Sequence, residues 1–185
     1  MTTFNVPTRD QVSTNNQVIF DDLKGKLGMV PNLYATYAFS DVALEANLEY
    51  SHRFEASKSF KSKEIQAIYL AVSQTNECTY CLAAHTALGK MAGFTEEETV
   101  ALRDGSIADS KLKVLVDFAR EVTLSRGKPS QEKLEAFFDA GYNNAQLIDL
   151  LGFVAAKTFA NYVHNITKSK VDFPEAKPLP ALATV

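Results

Sequence analysis

The chain contains two cysteines, and both lie in one short stretch, NECTYCLAAH, beside one of its three histidines. Cys78 and Cys81 are three residues apart, and His85 follows four residues after Cys81. Side chains at positions i, i+3 and i+7 of an α-helix share one face, so this spacing predicts that both sulfurs and the imidazole lie together. An imidazole beside a thiol can accept its proton or, once charged, stabilise the thiolate. The pattern therefore indicates redox chemistry at two neighbouring thiols.

The second cysteine is predicted to be the reactive one. A helix that begins near Cys78 holds both sulfurs in its first turn, where free N–H groups and the positive end of the helix dipole favour a thiolate. His85 lies one turn beyond Cys81 and can contact that sulfur. We therefore expect Cys81 to attack a hydroperoxide and Cys78 to close a disulfide with the resulting sulfenic acid. A third thiol species then reduces the pair.

Three other uses of the cysteines compete with this interpretation. A structural disulfide would close a very small loop, which gives little stabilisation. A zinc site would need His52 or His164 as a fourth ligand, because structural zinc is held by four. The pair could also be two small buried residues without chemistry. Because the only two cysteines lie beside a matching histidine, redox chemistry without a metal or cofactor is the leading hypothesis.

The composition is that of a folded globular domain. Of the 185 residues, 46% are hydrophobic and 22% are charged, and the formal net charge is −3. We expect a single domain over residues 1–185, without the basic stripe that binds nucleic acid. The most apolar window, residues 147–163, is interrupted by charged and amide side chains, which predicts a buried helix rather than a membrane span. The first residues lack the pattern of a secretory signal, so a cytoplasmic location is expected.

The elements that must position the cysteines are predicted to be helices. Apolar residues recur at helical spacing along most of the sequence, and strand-type alternation is absent from it. One helix runs up to the cysteines, and the next begins near Cys78 and is closed by Gly93. The pattern predicts an all-α domain of seven or eight helices with a redox core at about residues 62–104. A tail over residues 171–185, which contains three prolines, is expected to be extended.

The stretch LAVSQTNECTYCLAAHTALGKMAGFTEEE, residues 70–98, resembles the core of the alkyl hydroperoxidase D (AhpD)-like members of the carboxymuconolactone decarboxylase family. Residues 27–46 and 161–174 resemble the flanks of its peroxidase-related members. The resemblance implies an all-helical fold that assembles as a homo-oligomer, a trimer or hexamer, with the CxxC helix near a subunit interface. It also implies peroxide reduction by the second cysteine, a resolving first cysteine, a histidine in a proton relay, and a lipoyl-type dithiol or thioredoxin-like reductant.

One position departs from the family pattern. Better-known members have a glutamate twelve residues before the first cysteine, whereas residue 66 here is Gln66, which cannot act as a base. Glu64 is two residues away, about 200° around a helix, and should point elsewhere. Glu77, beside Cys78, could replace the missing carboxylate or could be a first-turn acid favoured by the helix dipole. We include Glu77 with Cys78, Cys81 and His85 in the predicted catalytic set.

The remaining histidines are predicted to lie outside the reaction. His164 is surrounded by apolar residues, which favours a core or interface position, and His52 lies in a polar helical stretch that favours a solvated face. Two other functions fit the same motif. A carboxymuconolactone decarboxylase-type lyase would use His85 and Glu77 as acid and base, and a non-catalytic redox sensor would use thiol oxidation to shift an oligomer interface.

Overall fold

A computed structural model describes residues 4–179, which form nine α-helices and one 3-10 turn, Arg9–Gln11. The helices are α1 (Thr14–Leu27), α2 (Asn32–Tyr37), α3 (Ala43–Ala56), α4 (Ser62–Thr75), α5 (Thr79–Met91), α6 (Glu96–Asp104), α7 (Ser110–Leu124), α8 (Gln131–Asp139) and α9 (Asn144–Thr167). Residues 4–179 contain no strand. The all-α, single-domain prediction is confirmed, although the helices number nine rather than seven or eight.

Helix α4 lies at the centre of the bundle, in contact with α5, α6, α7 and α9. Every residue from Ile65 to Ser73 is buried except Gln66, which is partly buried. A helix that is apolar on all sides is stable only when other elements cover it, and here four helices do so. The one amide among these apolar side chains, Gln66, therefore needs a polar partner inside the protein.

The cysteines belong to a separate apolar cluster on the N-terminal side of the fold. This cluster joins residues of α1, α2 and α3 to the start of α5 and to α9, and it includes Cys78 and Cys81. Its largest members are aromatic rings, among them Phe20, Tyr37 and Tyr80. The two sulfurs are therefore enclosed between helices and do not lie on an exposed loop.

A tight turn sets the start of α5. Helix α4 ends at Thr75, and Glu77 then adopts the left-handed backbone conformation, with φ of 53°, before the chain enters α5. The N–H of Cys78 donates to the carbonyl of Ser73 at 3.0 Å, which ties this turn to the end of α4. The turn reverses the chain, so α5 packs against α4 and the sulfurs meet the buried face of α9.

The last helix and the tail complete the fold. The apolar window at residues 147–163 lies inside α9, and over residues 4–179 no helix has the length and hydropathy needed to cross a membrane. Residues 171–179 have no helix or strand, as expected for the tail, whereas residues 180–185 lie outside the described part of the chain. The bounds of the redox core at about 62–104 stay a prediction.

Candidate active site

Both cysteines lie at the start of α5. Cys78 is the N-cap residue and Cys81 is the third helical residue, with 0% and 2% of their surfaces exposed. The Cys78 sulfur accepts a hydrogen bond from the Cys81 N–H at 3.3 Å. It therefore occupies the place that a serine or aspartate oxygen usually fills at an N-cap. Both residues are free cysteines.

The surroundings make the two thiols chemically different. A hydrogen bond from Cys78 lowers the pKa of Cys81 to about 7 despite its burial, assisted by the charge of Lys157 and by hydrogen bonds from Asn161 and Ser73. The same hydrogen bond, in which Cys78 is the donor, raises the pKa of Cys78, and burial adds to this shift. Near neutral pH, Cys81 is therefore the more acidic sulfur and Cys78 stays protonated.

Asn161, on α9, connects the three helices that meet at the sulfurs. Its side chain is fully buried, and its Nδ2 donates to the Ser73 hydroxyl at 3.2 Å. Its Oδ1 accepts from Asn76 Nδ2 at 2.9 Å. The amide also hydrogen-bonds the sulfurs and lowers the pKa of both Cys78 and Cys81. Asn161 thus holds the turn before α5 against α9 while it solvates the thiols.

The imidazole of His85 is buried, and both of its nitrogens have partners other than a sulfur. Nδ1 lies 2.8 Å from Gln66 Oε1, and Nε2 lies 2.5 Å from Lys157 Nζ. Burial, together with the charge of Lys157, holds the pKa of His85 well below its usual value. We expected His85 to contact Cys81 directly. Within residues 4–179, its ring instead hydrogen-bonds Lys157, the cation that acts on Cys81.

Glu77 does not join the other predicted site residues. Its side chain is exposed, on the turn between α4 and α5. Among the hydrogen bonds of residues 4–179, none joins it to either cysteine or to His85. The prediction that Glu77 replaces the family's glutamate therefore has no supporting contact. Gln66 fills that sequence position and makes the hydrogen bond to the imidazole.

The other two histidines occupy different surroundings. His164 is buried on α9, where Nε2 lies 3.1 Å from the Thr79 hydroxyl and the ring centroid lies 5.4 Å from that of Tyr80. His164 therefore packs against the first turn of α5, as a core residue would. His52 is exposed. No group of three or more potential metal-ligating His, Cys, Asp or Glu side chains occurs in the part of the chain that the structure describes.

Lys157 and Asn161 belong to the site, although the cysteine motif does not predict them. In the sequence they are two interruptions of an apolar window. They are four residues apart, so they lie on one face of α9, and the structure directs that face toward α4 and α5. Two polar side chains at this spacing in an otherwise apolar helix are the signal that could have identified them.

One surface cleft lies away from the cysteines. Its volume is about 730 Å³, and its walls include Phe94, Tyr142 and several lysine and glutamate side chains, but no cysteine, His85 or Lys157. The sulfurs themselves are almost completely covered.

Comparison with known proteins identifies the family. The model of the carboxymuconolactone decarboxylase family matches residues 32–122, a range that contains Gln66, Cys78, Cys81 and His85 but ends before α9. Among curated proteins, none matches this chain.

Several solved structures have the same fold. An uncharacterized peroxidase-related protein from Silicibacter sp. TM1040 is 25% identical, with a TM-score of 0.80 and 91% of each chain covered. A peroxidase-related protein from Ralstonia eutropha JMP134, described as an alkylhydroperoxidase AhpD core, is 19% identical, with a TM-score of 0.82 and 91% of each chain covered. A cysteine-to-alanine variant of the debrominase Bmp8, in complex with 2,3,4-tribromopyrrole, is 16% identical, with a TM-score of 0.78 and 93% of each chain covered. The family match thus shows that the chain belongs to the carboxymuconolactone decarboxylase family, and the solved structures show that it has the fold of AhpD-like, peroxidase-related proteins.

Proposed function

We propose that this protein is a thiol-dependent peroxidase or disulfide oxidoreductase that acts through Cys81 and Cys78. The supporting observation is the asymmetry of the pair, in which one hydrogen bond lowers the pKa of Cys81 to about 7 and raises that of Cys78. The thiolate is the nucleophile in such reactions, and its protonated neighbour supplies the second sulfur. Cys81 therefore attacks and Cys78 resolves.

The reaction with a hydroperoxide ROOH balances with these two residues alone. The Cys81 thiolate attacks one peroxide oxygen, the O–O bond breaks, and an S–O bond forms, which leaves a sulfenic acid and an alkoxide that takes up a proton as ROH. The Cys78 sulfur then attacks the Cys81 sulfur, so an S–S bond forms, the S–O bond breaks, and water leaves with the Cys78 proton. A lipoyl-type dithiol or a thioredoxin-like protein would restore both thiols by exchange.

Matched cysteine variants test this assignment. After one equivalent of hydroperoxide, mass spectrometry should find a Cys78–Cys81 disulfide in the wild type. Cys81→Ser should abolish peroxide consumption, whereas Cys78→Ser should consume peroxide and accumulate sulfenic or higher acids at Cys81. Continued peroxide turnover by the Cys81→Ser variant would overturn the proposal.

Of the alternative functions, the redox sensor has one observation in its favour. The sulfurs are nearly inaccessible, with 0% and 2% of each residue exposed, which suits slow, stoichiometric oxidation. Rapid mixing in the presence of a reductant separates the two functions, because an enzyme turns over repeatedly whereas a sensor stops after one equivalent. No contact favours a decarboxylase-type lyase, since its expected pair, His85 and Glu77, share no hydrogen bond in residues 4–179. Lactone turnover that survives double Cys→Ser replacement would establish it.

The predicted homo-oligomer is also part of this proposal, and one helix face supports it. Between residues 145 and 166 of α9, every exposed side chain is aliphatic or aromatic: Ala145, Ile148, Leu151, Ala155, Phe159, Tyr162 and Ile166. They recur every three or four residues and so form one stripe, which we call the α9 stripe. Because this stripe carries no charge, it can pair with the same stripe of a second copy without opposing like charges. The trimer or hexamer implied by the resemblance would bury it.

A further inference from the structure

The contact between His85 and Lys157 limits how many positive charges the site can hold. Nδ1 of His85 is 2.8 Å from Gln66 Oε1, an atom that can only accept, so Nδ1 carries a proton. Nε2 lies 2.5 Å from Lys157 Nζ. The hydrogen bond between these two nitrogens holds one proton, because two protonated cations would repel each other. At most one of His85 and Lys157 therefore carries a positive charge.

The surroundings favour the lysine as the charged partner. Burial lowers the pKa of Lys157, but it holds that of His85 well below its usual value, and an ammonium is intrinsically more basic than an imidazole by about four pKa units. Lys157 Nζ also lies 4.2 Å from the ring centroid of Tyr69, a cation–π geometry that stabilises a positive charge there. His85, by contrast, is packed against Tyr69 at 4.8 Å between ring centroids and has only the neutral Gln66 amide at its other nitrogen. Within residues 4–179, no carboxylate is among the groups that act on that ring.

The helices around Lys157 carry the titratable groups that determine whether a positive charge is stable there. The titratable groups that act on Lys157 are Glu55 from α3 and the two cysteines of the CxxC turn, together with His85 from α5. Tyr69 from α4 is neutral, because burial raises its pKa. From α2, Tyr34 and Tyr37 lie near Cys81, and burial raises the pKa of both hydroxyls. The anion that best complements Lys157 inside the site is therefore the Cys81 thiolate.

We propose that Lys157 is the cation that holds the Cys81 thiolate, and that Gln66 serves to keep His85 neutral so that the imidazole can hold Lys157. This inference rests on the proposed function and replaces the glutamate–histidine relay that the family resemblance implies. A carboxylate at residue 66 would draw the shared proton onto His85 and weaken the Lys157 charge beside Cys81. The charge of Lys157 therefore depends on the neutral side chain at Gln66. Lys157 is a positioning residue, since it acts through the sulfur and through His85.

The pKa of Cys81, measured without any peroxide, tests the role of Lys157. The rate of iodoacetamide alkylation at Cys81 should be followed against pH in the wild type, Lys157→Met and Lys157→Arg. Loss of the cation should raise the Cys81 pKa by about one to three units, which slows alkylation at neutral pH by about fivefold or more. Lys157→Arg, which keeps the charge, should recover most of that rate. An unchanged Cys81 pKa in Lys157→Met would overturn the proposal.

Nitrogen-15 NMR of the histidine rings tests the role of Gln66 and needs no variant of Lys157. In the wild type at neutral pH, His85 should show a protonated Nδ1 and an unprotonated Nε2, whereas Gln66→Glu should shift the ring toward imidazolium. A wild-type imidazolium at neutral pH would contradict the proposal even if the Lys157 variants failed to fold. Because alkylation and NMR report on protonation alone, they separate this inference from the proposed function: a chain without peroxidase activity would still give both answers.

Discussion

The sulfur of Cys78 accepts the backbone N–H of Cys81, so one thiol of the pair caps the helix that carries the other. An N-cap acceptor satisfies one of the free N–H groups in the first turn of a helix. The same sulfur also donates a hydrogen bond to Cys81, which lowers the Cys81 pKa. Cys78 therefore has a structural role, the capping of α5, that is separable from its thiol chemistry.

Replacing Cys78 by serine or by alanine distinguishes its capping role from its thiol chemistry. Both variants lose the second thiol, but only serine retains an oxygen that can cap α5. Under reducing conditions, Cys78→Ala should have a free energy of unfolding about 1 kcal/mol lower than that of Cys78→Ser. Urea unfolding measures this difference, and equal stability of the two variants would argue against the capping role.

Acidification should destabilise the fold through His85. Burial keeps the folded-state pKa of His85 well below its usual value, while the unfolded chain binds a proton at about pH 6.5. Because the unfolded state binds more protons below that pH, the free energy of unfolding should fall as pH drops, by at most about 1.4 kcal/mol per unit for this group. His164, whose pKa is lowered mainly by burial, adds to the same trend.

Urea unfolding between about pH 7.5 and 5.5 measures that slope. His85→Gln should reduce it, whereas the matched variant His52→Gln changes an exposed histidine and should preserve it. A slope that His85→Gln leaves unaltered would show that His85 is not held neutral by the fold.

Two tyrosines lie in the apolar cluster around the cysteines, and loss of the hydroxyl should change the free energy of unfolding differently at each. The Tyr37 hydroxyl is buried, and no hydrogen-bond partner for it occurs among residues 4–179, whereas the Tyr80 hydroxyl accepts the Leu33 N–H at 3.3 Å. Tyr37→Phe should keep or increase the free energy of unfolding. Tyr80→Phe should cost about 1–3 kcal/mol because it leaves the Leu33 N–H unpaired. Thermal unfolding of both variants checks the contrast, and a destabilised Tyr37→Phe would indicate an additional polar partner.

Gly152 is required for the approach of α9 to α3. A Cβ added at Gly152 would overlap the ring of Phe54, whereas one added at Gly25, in α1, meets no atom within 4 Å. Gly152→Ala should therefore lower the free energy of unfolding by about 1–3 kcal/mol. Gly25→Ala should raise it by up to about 1 kcal/mol, because alanine favours a helix interior. The two variants, compared by urea unfolding, test whether α3 and α9 pack as closely as the structure shows.

Charges on the α9 stripe should disrupt assembly. Ile148 and Ile166 are 61% and 72% exposed, near opposite ends of the stripe. If a second copy covers the stripe, Ile148→Lys and Ile166→Lys should reduce the molar mass measured by light scattering after size-exclusion chromatography. Val18→Lys on α1 is the matched control, since Val18 is 62% exposed but lies outside the stripe. A monomeric wild type, or variants with the wild-type mass, would contradict the proposed interface.

Much of the architecture could be predicted from local patterns. The helical periodicity predicts an all-α domain, and a helix start near Cys78 agrees with the structure, in which Cys78 is the N-cap and Cys81 lies in the first turn of α5. These are short-range properties, because helix spacing and capping depend on residues three or four apart. Residues 4–179 form nine helices, whereas the periodicity predicts seven or eight.

The polar partners of the site could not be derived in the same way. Lys157 lies 72 residues from His85, and Asn161 lies 88 residues from Ser73. Such contacts depend on how α9 packs across α4 and α5, which no local pattern encodes. The choice of Glu77 as a substitute carboxylate relied on adjacency in sequence, and the left-handed turn at that residue directs the chain so that its side chain is exposed.

The proposed chemistry depends on the protonation state of the two sulfurs in the reduced protein. Alkylation of the reduced wild type over a range of pH, with each modified peptide identified by mass spectrometry, measures it for both residues in one experiment. We expect Cys81 to react with an apparent pKa of about 7 while Cys78 stays unmodified until far higher pH. Equal reactivity of Cys78 and Cys81, both with the pKa of an ordinary thiol at about 8.5, would contradict the proposed mechanism.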